Sequence, residues 1–209
     1  MARQRATALL IDLDGVLRVW DPEPTAEVER AYELPAGLLE ATAMRWGRLK
    51  PVLAGEVSHA DWLAGVAEEL AEAAGGADRA RAAVAQWQQY RGEIDPQVLD
   101  LVREVRAAGL RVGLATNATD LLDADLAALK LVGEVDVVLN SSVLGEVKPS
   151  KEFFTAACQA LATPPDRVLF VDDEDRMVRG ARVAGLSAYR WDGPAGLRYV
   201  RAALELPAG

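Results

Sequence analysis

The pattern of apolar and polar positions divides the chain into two kinds of segment. Short apolar runs recur at residues 7–12, 110–115, 135–139, 167–171 and 186–189. Runs of this length, bounded by turn residues, predict strands buried on both faces of a parallel sheet. Segments with apolar residues at helical spacing lie between them. Asp95-Pro96 predicts a helix start, an N-cap residue followed by proline at the first helical position. Val98, Leu101, Val102 and Val105 then share one face, and Gly109 supplies the stop. Residues 151–161, 175–184 and 196–204 predict further helices. Such alternation predicts the α/β class, with a doubly wound, Rossmann-like parallel sheet and right-handed crossovers.

Residues 20–90 are different. They offer no strand pattern and predict helices at 25–32, 35–46, 59–74 and 78–90, punctuated by Pro35, Pro51 and Gly75-Gly76. Ser58 and Asp61 have the spacing of a capping box. The expected organisation is a catalytic core of residues 1–17 and 93–209 and a small helical cap of residues 18–92, inserted after the first strand. An insert there can sit above the carboxyl ends of the strands, where open α/β sheets bind ligands.

Composition narrows the functional classes. At 209 residues, 51% of them hydrophobic and 26% charged, the chain has material for one large domain or a core with a modest insert. The 23 basic and 32 acidic residues give a net charge of −9. That balance argues against nucleic acid or a membrane surface as a partner, yet permits an anionic small molecule at a locally positive site. No apolar run approaches the ~20 residues of a membrane helix. The basic start, residues 1–6, lacks the apolar stretch of a secretory signal. A single cysteine, Cys158, excludes an internal disulfide and fits a reducing, cytoplasmic setting. A single histidine, His59, excludes multi-histidine metal sites and weakens any Ser-His-Asp reading. Metal chemistry based on oxygen ligands stays open.

Four features carry candidate chemistry, each at the carboxyl end of a predicted strand. Asp12 and Asp14 lie two apart; an extended backbone would point both carboxylates to one side, where they could bind a hard cation or divide nucleophilic and proton-transfer work. Gly15 lets the chain turn away. Taken alone, Asp-x-Asp-Gly is also an ordinary turn. Thr116-Asn117 offers a hydroxyl and backbone amides as an anion seat, or a plain N-cap. Lys148, held by Pro149, can reach into a site or stay solvated; Lys151, at the next helix start, fits the solvated case. Asp172-Asp173 ends an apolar strand; two carboxylates there repel unless a cation neutralises them or water reaches them. All four falling on one edge of one sheet by chance is improbable.

In these residues the chain resembles the haloacid dehalogenase-like hydrolase superfamily. Asp12-Leu13-Asp14-Gly15-Val16 is similar to its first motif, Thr116 to the second, Lys148 to the third and Val171-Asp172-Asp173 to the fourth. The helical insert resembles the C1 cap of subfamily I. Residues 12–17, 55–62 and 148–153 resemble most the branch of the soluble epoxide hydrolase amino-terminal phosphatase domain and bacterial sugar-phosphate phosphatases. The chain departs from the family at Met177, where many relatives have Asn, and at Arg18-Val19-Trp20, where mutases carry a Thr-Asp-Thr-like stretch.

The resemblance implies a Mg²⁺-dependent phosphomonoester hydrolase for a small phosphorylated metabolite, working through an aspartyl-phosphate. Asp12 is the implied nucleophile and Asp14 the acid and base. Mg²⁺ is expected on an Asp12 oxygen, the Asp14 backbone carbonyl and Asp173, with Asp172 acting through water. Lys148, Thr116 and backbone amides near Leu13, Asp14 and Asn117 are expected to hold the phosphoryl group. A 2-haloacid dehalogenase would not need Asp14, a phosphomutase would need a water-excluding cap, and a non-catalytic binding or regulatory protein would not need the full residue set. A monomer or a homodimer is equally compatible.

Other residues read as structural: His59 as a helix start, Cys158 as core, Trp62 and Trp87 as packing. Trp20, with Arg45, Trp46 and Arg48, is a candidate contact for a sugar or acyl group, set against packing and solvated charge.

Overall fold

The computed structural model describes residues 5–206. The basic start considered above for a leader lies mostly outside that range, as do residues 207–209. The first strand, β1 (Ala8–Ile11), leads into a two-residue strand, β2 (Arg18–Val19). Five helices follow: α1 (Glu23–Ala31), α2 (Leu38–Ala43), α3 (Trp46–Leu53), α4 (His59–Leu70) and α5 (Ala77–Trp87). The chain returns through β3 (Glu93–Ile94), which pairs antiparallel with β2. It then alternates: α6 (Pro96–Ala107), β4 (Arg111–Thr116), α7 (Leu122–Ala128), β5 (Val137–Asn140), α8 (Ser141–Leu144), α9 (Lys151–Ala160), β6 (Val168–Asp172), α10 (Asp175–Val183), β7 (Ser187–Arg190) and α11 (Leu197–Ala203).

The five longer strands form one parallel sheet in the order β5-β4-β1-β6-β7. Alternation along the strands divides its side chains between two cores. Leu9 and Ile11 of β1 pack with Leu114, Leu169 and Val171 against α6, α7 and α11. Ala8 and Leu10 pack with Phe170 against Phe153, Phe154 and Ala157 of α9 and Val178 of α10. Burial on both faces explains why these strands read as continuous apolar runs. With β1 central, the chain builds outward on one side through β4 and β5, then crosses to β6 and β7. That reversal opens the crevice at the carboxyl ends of β4, β1 and β6.

Helices α1–α5 enclose a hydrophobic cluster of their own, including Leu39, Val52, Trp62, Val66, Leu70 and Val84. The Ser58 hydroxyl caps α4 by accepting from the Asp61 N–H at 3.0 Å. Two expectations change here. The predicted helix over 35–46 shortens to α2, which starts only after Gly37 in the left-handed region at φ 76°; α3, beginning at Trp46 after the non-helical Arg45, was not expected. Pro51 does not interrupt the chain but lies inside α3. Its missing N–H costs one bond near the helix end, while Val52 and Leu53 gain burial, so packing outweighs propensity. The pairing of β2 with β3, two residues on each side, was too short to show a period.

Candidate active site

β1 delivers Asp12 into the crevice. The Asp12 N–H donates to the Val171 carbonyl at 2.9 Å, which carries the sheet geometry one residue past the strand. β6 delivers Asp172 beside it. Lys148, from the loop before α9, lies between the two: its Nζ is 2.8 Å from Asp12 Oδ1 and 2.7 Å from Asp172 Oδ2. The lysine is only 2% exposed and Asp172 not at all. Asp173 reaches the same place from the other side. Gly15, at φ +77°, sits so close beneath it that a Cβ there would lie 2.1 Å from Asp173 Oδ2. Each of Asp12, Asp172 and Asp173 offers an oxygen within 4.8 Å of the others.

The electrostatics follow from burial. Burial pushes the Asp12 carboxyl well above the usual carboxylate range; Lys148 pulls it down and Asp172 pushes it up again. For Lys148, burial favours the neutral amine, but the Asp12 and Asp172 carboxylates together outweigh it and raise its pKa. Asp173 is raised by burial and by the neighbouring Asp172. Three carboxylates against one ammonium leave an excess of negative charge in a nearly dry pocket. An all-oxygen donor set with that excess suits a hard divalent cation such as Mg²⁺.

The other expected residues are placed as follows. Thr116 ends β4 opposite Asn140, almost fully buried. Asn117 turns its side chain toward Lys148: the Lys148 N–H donates to Asn117 Oδ1 at 2.7 Å, and Asn117 Nδ2 donates to the Lys148 carbonyl at 3.1 Å. Asp14 makes contacts of its own. The chain leaves the strand after Ile11 and folds back, with the Gly15 N–H donating to the Arg18 carbonyl at 2.8 Å. The Asp14 carboxylate then accepts from Arg18 Nε at 2.7 Å, Arg18 Nη2 at 3.0 Å and Trp20 Nε1 at 2.6 Å. The Asp14 carboxylate is thus tied to Arg18 and Trp20 and is not one of the three clustered carboxylates.

Trp20 is half exposed and engaged with Asp14, and its ring stacks edge-on to Tyr90. Trp46 lies under the Arg176 guanidinium of α10, 5.8 Å from the ring centroid. Arg45 and Arg48 both donate to the Glu69 carboxylate of α4. Together with Pro51, Val52, Val57, Asp61 and Trp62 they line a cavity of about 430 Å³ between α3 and α4, to which Asp12, Asp14, Asp172 and Asp173 do not contribute. His59 starts α4 and also touches the core: its N–H donates to Asp120 Oδ1 at 2.9 Å and its Nδ1 lies 3.0 Å from Thr119 Oγ1. Cys158 is buried in the α9 core, and burial pushes its thiol up to about 11. Met177 is buried in the same core.

Arg18 is the residue sequence reasoning passed over. It is buried, pairs with Asp14, and donates from Nη1 to Asp125 at 3.1 Å. Its role depends on the turn at Gly15 and on a helix more than a hundred residues away, so no local pattern signals it. Arg190 of β7 is a second: its Nε donates to the Asp173 carbonyl at 3.1 Å.

The sheet and its acidic edge define a Rossmann-like α/β core with a carboxylate cluster at the carboxyl ends of its central strands. The sequence matches the haloacid dehalogenase-like hydrolase family over residues 6–185, and the chain belongs to that family of enzymes. It is 32% identical over 197 residues to a phosphatase of Mycobacterium tuberculosis, covering 89% of this chain and 87% of that one. It is 29% identical over 205 residues to a ribulose-1,5-bisphosphate 5-phosphatase of Halopiger xanaduensis, covering 90% and 85%. The fold is similar to that of a haloacid dehalogenase-family enzyme of Bacteroides thetaiotaomicron in complex with magnesium and inorganic phosphate. That likeness has a TM-score of 0.70 at 22% identity over 90% of this chain and 96% of that one. Among the described residues no helix is long and apolar enough to cross a membrane.

Proposed function

We propose that this enzyme is a Mg²⁺-dependent phosphomonoester hydrolase for a small phosphorylated metabolite, and that residues 18–92 act as the cap over its site. The observation that carries the reading is the Lys148 ammonium held between Asp12 and Asp172, with Asp173 completing a three-carboxylate cluster. The phosphatases among its relatives support the same chemistry.

Asp12 is the nucleophile. One carboxylate oxygen attacks phosphorus, the bond from phosphorus to the ester oxygen breaks, and Asp14 gives its proton to the leaving alcohol. Water then attacks the aspartyl-phosphate, Asp14 takes the proton of that water, and orthophosphate leaves with Asp12 restored. Two modest displacements replace one difficult one. Because Asp14 is an ionised carboxylate bound to Arg18 and Trp20 in this structure, it must exchange those partners for the ester oxygen and take up a proton from solvent before the first turnover; each later cycle reuses the proton it takes from the attacking water. Lys148 screens Asp12 from the incoming anion and, with Thr116 and the backbone amides beside Leu13, Asp14 and Asn117, holds the phosphoryl oxygens. Asp12, Asp173 and the Asp14 carbonyl would hold Mg²⁺, with Asp172 acting through water; the bound ion supplies positive charge where the phosphoryl group is crowded by carboxylates.

The test is phosphate release from p-nitrophenyl phosphate and from a panel of phosphorylated sugars, nucleotides and acids. Turnover is expected with Mg²⁺, should vanish with EDTA and should return on adding the ion back. Full turnover in EDTA would remove the metal from the scheme, and zero turnover across the panel would favour a binding protein.

A further inference from the structure

The side chain of Asn117 spans 31 positions of sequence to bind both backbone polar groups of one residue, Lys148. An amide has one acceptor oxygen and a donor nitrogen set side by side, so it can mimic a strand neighbour and fix a single peptide in place. The opposite side of the same segment is held as well. Gly180 of α10 presses against Pro149 so closely that a Cβ on Gly180 would lie 2.4 Å from Pro149 Cβ. Ser150 then caps α9, its hydroxyl accepting from the Phe153 N–H at 3.1 Å. The backbone that carries Lys148 is therefore gripped from three sides.

We propose that Asn117 is a positioning residue: its side chain acts on the reaction through Lys148 and makes no direct contact with substrate. The inference rests on the hydrolase reading above and deepens it. A lysine side chain has four rotatable carbons and a compact, undirected charge, so the chain gives little control over where the ammonium sits. Here the ammonium must stay within hydrogen-bond reach of Asp12 and Asp172 at once, at 2.8 and 2.7 Å. Fixing the backbone beneath it holds the anchor point from which the side chain must reach both carboxylates. Asn117 is the first residue past β4, and its side chain turns to the Lys148 loop.

The experiment is steady-state kinetics of Asn117→Ala on p-nitrophenyl phosphate with Mg²⁺. Loss of the clamp should lower kcat by roughly 10- to 100-fold, the scale expected when a catalytic group is displaced by about 1 Å. KM should change far less, and the same factor should appear with any second phosphate ester the enzyme accepts. Asn117→Asp keeps the oxygen that takes the Lys148 N–H and loses the N–H given to its carbonyl, so it should fall between the wild type and Asn117→Ala. A rise in KM with kcat unchanged, or a loss specific to one substrate, would show direct substrate contact and overturn the proposal. Unaltered kinetics in both variants would do the same. A crystal structure of Asn117→Ala gives a readout independent of turnover. Lys148 Nζ is expected to leave at least one of its two carboxylates; an unmoved Nζ would overturn the proposal even if the wild type shows no phosphatase activity.

Discussion

Two charge triads in this molecule have the same arithmetic and opposite surroundings. In the core, one ammonium, Lys148, bridges the carboxylates of Asp12 and Asp172, all essentially shut off from water. In the helical insert, one carboxylate, Glu69, bridges the guanidiniums of Arg45 and Arg48, with Glu69 itself 31% exposed. Water and salt screen the second triad, so its attractions are weak and its members replaceable. The first triad has no such screening. Removing one member strands the others, and the excess negative charge that remains is what a cation or a phosphoryl group must meet. Burial, more than the count of opposite charges, separates a reactive cluster from a surface clasp.

The sharpest way to test that contrast is Asp12→Asn. Turnover should fall by at least about 10³-fold while the unfolding transition remains cooperative and two-state, because the proposal gives this oxygen the bond-forming role. Activity near the wild-type value would move the reaction away from the core triad. Next in size is Lys148→Met, which leaves two adjacent buried carboxylates without their counter-charge. A loss of about 3–5 kcal/mol of stability is expected in urea unfolding, the range for breaking a buried pair on one side. Added Mg²⁺ should restore part of it, since a ligand that binds only the folded state stabilises it. A fully stable Lys148→Met protein would mean that water already shields the cluster. The smallest effect belongs to Glu69→Gln, which should leave the urea midpoint near the wild-type value. A large drop there would erase the distinction between the two triads.

Much of the core was readable because its signals are local. An apolar run ending in Asp12, or in Asp172-Asp173, announces both a buried strand and the residues at its carboxyl end. Asp95-Pro96 announces α6 at the residue where it begins, with the Asp95 side chain accepting from the N–H groups of Gln97 and Val98. What stayed hidden depends on a tight turn or on partners distant in sequence. Nothing near Asp14 says that Arg18 will take its carboxylate, because that contact requires the chain to reverse at Gly15. Nothing near Asn117 says that its amide faces Lys148 rather than solvent. In the insert, the sequence around Pro51 reads as a break, and only the packing of Val52 and Leu53 makes it a helix.

The short ladder in which Val19 faces Glu93 has a consequence for modularity. The chain departs for its five-helix excursion and comes back along adjacent antiparallel strands, so the two ends stand one strand spacing apart, about 5 Å. A tight two-residue reversal would join them, the connection such ladders favour. The excursion thus leaves and returns at neighbouring points, so what spans residues 23–87 meets the rest of the chain through one short paired stem and through side-chain contacts such as His59 with Asp120.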